Sequence, residues 1–492
     1  MITKIFSKIS YFLLLATLVA SFYIYGLNVS PNGDNIEHLH ISWLISQGYV
    51  PYRDFFQHHN PFVWYIYSPL VAFLINNIII FKCFSVISYV TLLVTVYIQS
   101  KILKQLKVCK IIQILFASFV LSSYSVLWST DYRPDTTMYL FLFAGIYYLF
   151  QYINKLKSRY IIYSFMLFYL GFMCTQKILF NFLVIGMFVV FLVYRKQITI
   201  KSFLKACILP LTITLIYILY LYSKDSLLMY LKSCYLFNSK LASFFVKSRI
   251  TFPPLEYYDI YLFTVFGALS SIYFVIKGSL KERLISLLFL EELLCRLFYF
   301  SAFLHYNTLL LLFSIMLSFM FANKMTKYKN VIILICCMYV VFANFYIYKN
   351  TYLVEKLNNR EIKGYEYYFE NTTYCDYALN GYYAVDNLKS KDLGYYTVLL
   401  GQIDVLGEKM GIHPRDNLND LILKYKPKVI NGDLYWNMYQ RERGINIPAH
   451  IIDRRIIDKY YQYSSIGNIY ILKKEYQKKY CRKVGNKWEY VD

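Results

Sequence analysis

Apolar runs close to 20 residues long recur over the first 350 positions, separated by short clusters of lysine and arginine. A helix of about 20 apolar residues matches the hydrocarbon thickness of a bilayer. A repeated pattern of this kind restricts the chain to a polytopic helical membrane protein. Composition agrees: 58% of residues are hydrophobic and 16% are charged, against roughly 25% charged in a soluble chain.

The formal charge of +23 does not indicate nucleic acid. Residues 1–349 hold 30 Lys/Arg and 11 Asp/Glu, and the tail 350–492 holds 22 and 18. The excess therefore sits between spans, as the positive-inside rule requires. Lys4 and Lys8 ahead of the first run, and the clusters around Lys101–Lys110, Lys155–Arg159, Arg195–Lys205, Lys277–Arg283 and Lys324–Lys329, mark cytoplasmic ends. Spans are expected at 10–27, 80–100, 111–128, 137–153, 160–174, 178–194, 206–223, 260–276, 285–301, 307–323 and 331–348. About eleven crossings place the N-terminus inside and the tail outside. The domains are then a membrane domain, 1–349, and an outer α/β domain, 350–492, with strands at 395–400 and 468–474. Within that tail a helix should start near Asp416 and end before Pro427, followed by another strand. Cys375 and Cys481, the two tail cysteines, could pair if the tail faces an oxidising compartment.

The first external loop, 28–79, is far longer than a connection needs. Asp34–Gln47 has helical spacing that sets Ile36, Leu39 and Trp43 on one side and Asp34, Glu37 and His38 on the other. It is expected to lie on the membrane with its carboxylates turned away. Pro61–Asn77 is expected to form a second surface helix. Five of the eleven acids in 1–349 fall in the first two external loops: Asp34, Glu37, Asp54, Asp131 and Asp135. Asp-x-x-Glu opening a helix is also a capping box, but that does not account for His38, Arg53, Asp54, His58 and His59 nearby. Arg53 and Asp54 could close a turn with one another.

In the second loop, "STDYRPDTTMY", Arg133 could clamp a phosphate bidentately or pair with Asp131 or Asp135. Lys177 is a lone cation on an outer turn, where it could meet an anionic substrate or snorkel to head groups. Arg296 sits with Glu291 and Glu292 inside an expected span, where charge must be paired or face a cavity. His305 and Tyr306 precede the tenth span. Acids and a few cations beside lipid supply a general base and groups that offset a departing phosphate. Catalytic candidates are thus Asp34, Glu37 and His38. Substrate-binding candidates are Arg53, Asp54, His58, Asp131, Arg133, Asp135, Lys177, Arg296, His305 and Tyr306. No Cys/His spacing suggests a metal, and no cofactor is expected.

The stretch "W…G…PYRDFFQHHNP…WY…P", the loop "DYRPD", the lysine after the fifth span and "HYN" before a late span resemble the GT-C glycosyltransferases. The likeness is closest to the bacterial branch of protein mannosyltransferases, aminoarabinose transferases and related lipopolysaccharide sugar transferases. At motif level it covers residues 33–65, 129–136 and isolated positions. The resemblance implies inverting transfer of a sugar from a polyprenyl-phosphate carrier to a lipid, glycan or protein acceptor. The reaction would occur on the periplasmic face of the bacterial inner membrane. It implies Asp34 as the base that orients the acceptor, with Glu37 displaced from the family's adjacent acid pair. Arg133, Lys177, Arg296 and His305 would hold the phosphate. Some members use a divalent metal; none is favoured here. A flippase of lipid-linked sugars, or a surface-polysaccharide ligase or polymerase, is the alternative.

Overall fold

The structure, a computed structural model, describes residues 2–27, 33–75, 79–244, 258–298, 307–328, 330–347, 349, 377–379, 391–392, 395–396, 402–431, 452–464, 469–477, 481–484 and 487–490. The chain is mostly helical, with a small sheet in the tail. Among the described residues, seven helices are long and apolar enough to cross a membrane: 5–26, 79–105, 134–155, 176–194, 200–223, 258–277 and 330–347. The apolar segments 62–74, 110–122, 158–174 and 308–324 are shorter.

Contacts divide the chain into two compact units. The first comprises residues 1–29, 84–216 and 244–355. Its helices are α1 (Ile2–Ser21, continued by a π-turn to Gly26), α4 (Ile79–Gln105, mostly here), α5 (Lys110–Ser122), α6 (Tyr124–Trp128), α7 (Pro134–Lys155), α8 (Ser158–Cys174), α9 (Leu179–Tyr194), α10 (Ile200–Ser223, mostly here), α13 (Tyr258–Lys277), α14 (Leu280–Phe298), α15 (Thr308–Lys324) and α16 (Asn330–Ile347). The centre is α15, whose residues Thr308–Leu317 are all buried, as expected of a helix that is apolar all round. At the outside, α10 exposes Leu204, Ile208, Leu211 and Leu215, an apolar surface of the kind lipid covers. Between α7 and α8, a Cβ at position 145 would overlap the Phe168 ring. Glycine there admits close helix packing, and Ser164 Oγ donates to the Gly145 carbonyl at 2.8 Å.

Each expected span is helical over its described residues, with one difference. The segment expected as a single span at 111–128 is two helices. Ser123 leaves the helical region (φ −74°, ψ 115°), and its Oγ accepts from Val126 N to cap α6. Serine competes for backbone hydrogen bonds and so favours caps over helix interiors.

The helix ends that carry the basic clusters are joined by side chains. Asn154 Nδ2 donates to Gln105 Oε1 at 3.1 Å, Lys324 pairs with Glu282 at 3.0 Å, and Cys109 N donates to Asn323 Oδ1 at 3.0 Å. Helix α7 has 22 residues, about 33 Å at 1.5 Å per residue. Asp135 therefore lies roughly a bilayer's thickness from Lys155.

The second unit comprises residues 30–83, 217–243 and 356–492. The division expected near residue 350 followed the sequence; this unit gathers the first loop, a middle segment and the tail. It holds α2 (Gly33–Ser46), α3 (Phe62–Leu74), α11 (Leu227–Leu231), a π-helical turn (Lys232–Phe237) and α12 (Asn238–Phe244). The tail adds α17 (Gln402–Lys409), α18 (Leu418–Tyr425) and α19 (Arg454–Tyr460). Its strands are β1 (Tyr377–Leu379), β2 (Lys391–Asp392), β3 (Val429–Asn431), β4 (Tyr461–Ser464), β5 (Ile469–Leu472), β6 (Cys481–Val484) and β7 (Lys487–Tyr490). Five form one sheet in the order β2-β1-β3-β5-β4, parallel across β2-β1-β3 and antiparallel beyond. The expected strand at 395–400 is a turn at 395–396, and 397–400 lie outside the described residues. Cys481 is disulfide-bonded; Cys375 lies outside the described residues.

Candidate functional site

The first loop does not rest on lipid through α2. That helix is buried on every side: Ile36, Leu39 and Trp43 are at most 1% exposed, and Glu37, His38 and His40 are also buried. Its polar side is occupied by chain from further along the same loop. Gln57 Nε2 donates to Glu37 Oε1 at 3.0 Å, and His58 N donates to Gln57 Oε1 at 2.7 Å. Trp64 Nε1 donates to His38 Nδ1 at 3.3 Å. An indole N–H only donates, so a neutral His38 carries its proton on Nε2. The His38 and His59 rings meet edge to face at 6.0 Å, and His58 and His59 lie 4.2 Å apart. The surface helix of this loop is α3 instead, which buries Val63, Trp64 and Val71 and exposes Ile66, Leu70 and Phe73.

Asp34 lies in the first turn of α2 and is half-buried. A carboxylate there is favoured by the helix dipole. Glu37, three positions on, reaches Gln57 with its carboxylate.

Arg53 and Asp54 close a turn. Asp54 Oδ2 accepts from Val50 N at 2.7 Å, and the Arg53 guanidinium is bidentate on the same carboxylate, 2.8 Å to each oxygen. This hydrogen bonding raises the Arg53 pKa. Tyr52 takes a left-handed conformation (φ 68°) at the head of the turn. Its hydroxyl donates to the His59 carbonyl at 2.6 Å.

The middle segment and tail hold the loop from two further directions. Tyr230 Oη donates to Asn60 Oδ1 at 3.0 Å, and Asn238 Nδ2 donates to the His58 carbonyl at 2.7 Å. Phe56 N donates to the Tyr395 carbonyl, and Tyr395 Oη donates to the Tyr52 carbonyl, both at 2.7 Å. Burial raises the Tyr52, Tyr230 and Tyr395 phenols well above their ordinary value and pushes the Cys234 thiol up with them. Cys234 is therefore a packed thiol, not a nucleophile.

In the first unit a second polar group gathers at the ends of α7, α9 and α14. Arg133 Nε lies 2.7 Å from Asp131 Oδ2, and Lys177 Nζ lies 2.9 Å from Asp135 Oδ1. Asn181 Nδ2 donates to Glu291 Oε2 at 2.6 Å and to Glu292 Oε1 at 2.7 Å. Arg296 Nε donates to Asn307 Oδ1 at 2.8 Å. Buried Tyr139 interacts electrostatically with Asp135, Glu292, Arg133 and Asp131. The charges inside α14 are thus partnered, as charge at membrane depth requires.

The ion pairs Asp131–Arg133 and Asp135–Lys177 lie in this unit, and so does Arg296, bonded to Asn307. Asp34, Glu37, His38, Arg53, Asp54 and His58 belong to the other, where Gln57 links Glu37 to His58 and Arg53 pairs with Asp54. His305 and Tyr306 lie outside the described residues. Among the described residues, no group of three or more His, Cys, Asp or Glu could hold a metal ion. Sequence reasoning missed Gln57, Asn60, Tyr230, Asn238 and Asn181. All are neutral side chains, and only their contacts distinguish them.

No family model matches the chain, and no curated protein matches it. Among solved structures, the chain is similar to the crystal structure of the Archaeoglobus fulgidus oligosaccharyltransferase in the apo form. Identity is 11%, 94% of this chain and 74% of that chain are covered, and the TM-score is 0.46.

Proposed function

We propose that the chain is an inverting glycosyltransferase of the GT-C type. It would move a sugar from a polyprenyl-phosphate carrier to a lipid, lipopolysaccharide, oligosaccharide or protein acceptor on the outer face of the membrane. The observation that carries this reading is the paired Asp131–Arg133 and Asp135–Lys177 arrangement. It lies at the end of α7 opposite the basic cluster, hence on the outer side by the positive-inside rule. Two cations held ready by carboxylates can exchange those partners for a phosphate, Arg133 bidentately and Lys177 as a point charge.

In the proposed reaction the acceptor oxygen attacks the anomeric carbon. The carbon–oxygen bond to the carrier phosphate breaks and the phosphate leaves with the electron pair. The sequence resemblance assigns the acceptor proton to the Asp34 carboxylate. Arg133 and Lys177, with Arg296 and His305 in support, offset the charge gathering on the leaving phosphate. No metal is assigned a role. The alternative is a flippase of lipid-linked sugars, or a surface-polysaccharide ligase or polymerase.

The test is transfer by purified protein from radiolabelled polyprenyl-phosphate sugars to candidate acceptors, wild type against Asp34→Asn. Loss of a general base lowers the rate about 10²- to 10⁴-fold. Transfer undiminished in the variant removes the mechanism, and carrier movement across vesicles without transfer would favour the flippase.

A further inference from the structure

Asp259 is a fully buried carboxylate that the proposed chemistry does not use. Unlike Asp131 and Asp135, it faces neutral donors. Ser123 Oγ donates to Oδ2 at 2.7 Å and Ser125 N to the same oxygen at 3.0 Å. Ser125 Oγ donates to Oδ1, which also accepts from Ile260 N at 3.0 Å. A buried charge persists only where such donors surround it.

Three of those donor groups belong to the start of α6, a helix of five residues. A helix this short cannot sustain itself, and its first N–H groups need acceptors from elsewhere. Ser123 Oγ accepts from Val126 N at 3.2 Å, and Asp259 reaches across from α13 to accept from Ser125 N. The far end of α6 is closed in turn: Ser129 Oγ donates to the Ser125 carbonyl at 2.7 Å, and Thr130 Oγ1 to the Val126 carbonyl at 2.6 Å. The next residues carry Asp131 and Arg133. Arg133 N and Thr136 Oγ1 both donate to the Asp131 carbonyl, each at 2.9 Å. Hydrogen bonds thus tie the Asp259 carboxylate to α6 and on to Thr130, and the chain continues from there directly into the turn that bears the Arg133 guanidinium.

We propose that Asp259 is a positioning residue: it caps α6 from outside and thereby fixes the second loop, and Arg133 with it, for the donor phosphate. The role of Arg133 rests on the functional reading above; the capping itself does not. Ser125 anchors the near side of the same link.

The test combines amide hydrogen exchange and kinetics on the full chain in lipid nanodiscs, comparing wild type, Asp259→Ala, Asp259→Asn and Ser125→Ala. Opening of residues 124–133 should quicken about tenfold or more in Asp259→Ala, the scale of one lost buried hydrogen bond. Exchange in α8 should stay unchanged. The KM for the lipid-linked donor should rise by a similar factor with the acceptor KM unaltered, and Asp259→Asn should restore part of both. A general loss of packing would raise exchange everywhere and would not separate the two KM values. Unchanged exchange over 124–133 in Asp259→Ala overturns the proposal. If that variant does not fold, unchanged exchange in both Asp259→Asn and Ser125→Ala overturns it equally. If wild type transfers no sugar, the functional reading fails while the exchange result still decides the cap.

Discussion

Gln57 and Glu37, twenty positions apart, share a buried hydrogen bond of 3.0 Å between amide and carboxylate. It joins the extended part of the first loop to α2 and offsets the cost of burying the acid. Gln57→Leu removes a donor to a charged group while keeping approximate volume. The expected loss is about 1–3 kcal/mol of stability, read as a lower unfolding temperature in detergent. Gln57→Glu sets two carboxylates against each other and should destabilise further. Equal unfolding temperatures for wild type and Gln57→Leu would show that the contact contributes nothing.

Leu156 ends α7 in the left-handed region (φ 53°), its N–H bonded to the Tyr152 carbonyl. The side chain is 63% exposed, so little packing opposes a change. Glycine adopts this conformation without the Cβ clash that leucine carries. Leu156→Gly should stabilise the fold by roughly 1 kcal/mol. A fall in the midpoint of chemical unfolding would contradict this.

The spans were legible because apolar run length and basic punctuation are both local signals. The break at Ser123 was not, since apolar residues continue across it and the deciding acceptor, Asp259, lies 136 positions away. The tail helix Leu418–Tyr425 and strand Ile469–Leu472 follow from local pattern and fall where expected. For α2, helical spacing separated Ile36 and Trp43 from Glu37 and His38 correctly. It could not show that Gln57 and Trp64 return to cover the polar side. The pairing of Arg133 with Asp131 was one of the readings its sequence neighbours allowed. The pairing of Lys177 with Asp135 joins two loops and depends on how α7, α8 and α9 pack.

Tyr52, Tyr230, Tyr395 and Cys234 are all held in their neutral forms by burial, with pKa values raised in the fold. Unfolding returns them to about 10 for the phenols and 8.5 for the thiol. Stability from these groups is therefore fully present below those unfolded values and is lost as pH rises through them toward the raised folded values. The second unit should unfold on the alkaline side, with phenolate absorbance appearing together with loss of helix. Tyr52→Phe removes one such group and should flatten the dependence above about pH 10. Phenols that ionise before any helix is lost would contradict the burial described.

Lys177 and Asp135 pair at 2.9 Å, each no more than 19% exposed. Removing one partner leaves the other charge uncompensated in a low-dielectric setting, which is costlier than removing both. Lys177→Met should thus lower stability by about 3 kcal/mol or more, and Lys177→Met with Asp135→Leu should recover most of it. Transfer should behave oppositely. If Lys177 meets the donor phosphate in the transition state, the double variant stays as slow as the single one, about 10²- to 10³-fold below wild type. A purely structural lysine would let activity return with stability. Comparing the unfolding midpoint and the transfer rate across wild type, both single variants and the double variant separates those roles. Recovery of both quantities together in the double variant would remove Lys177 from the site.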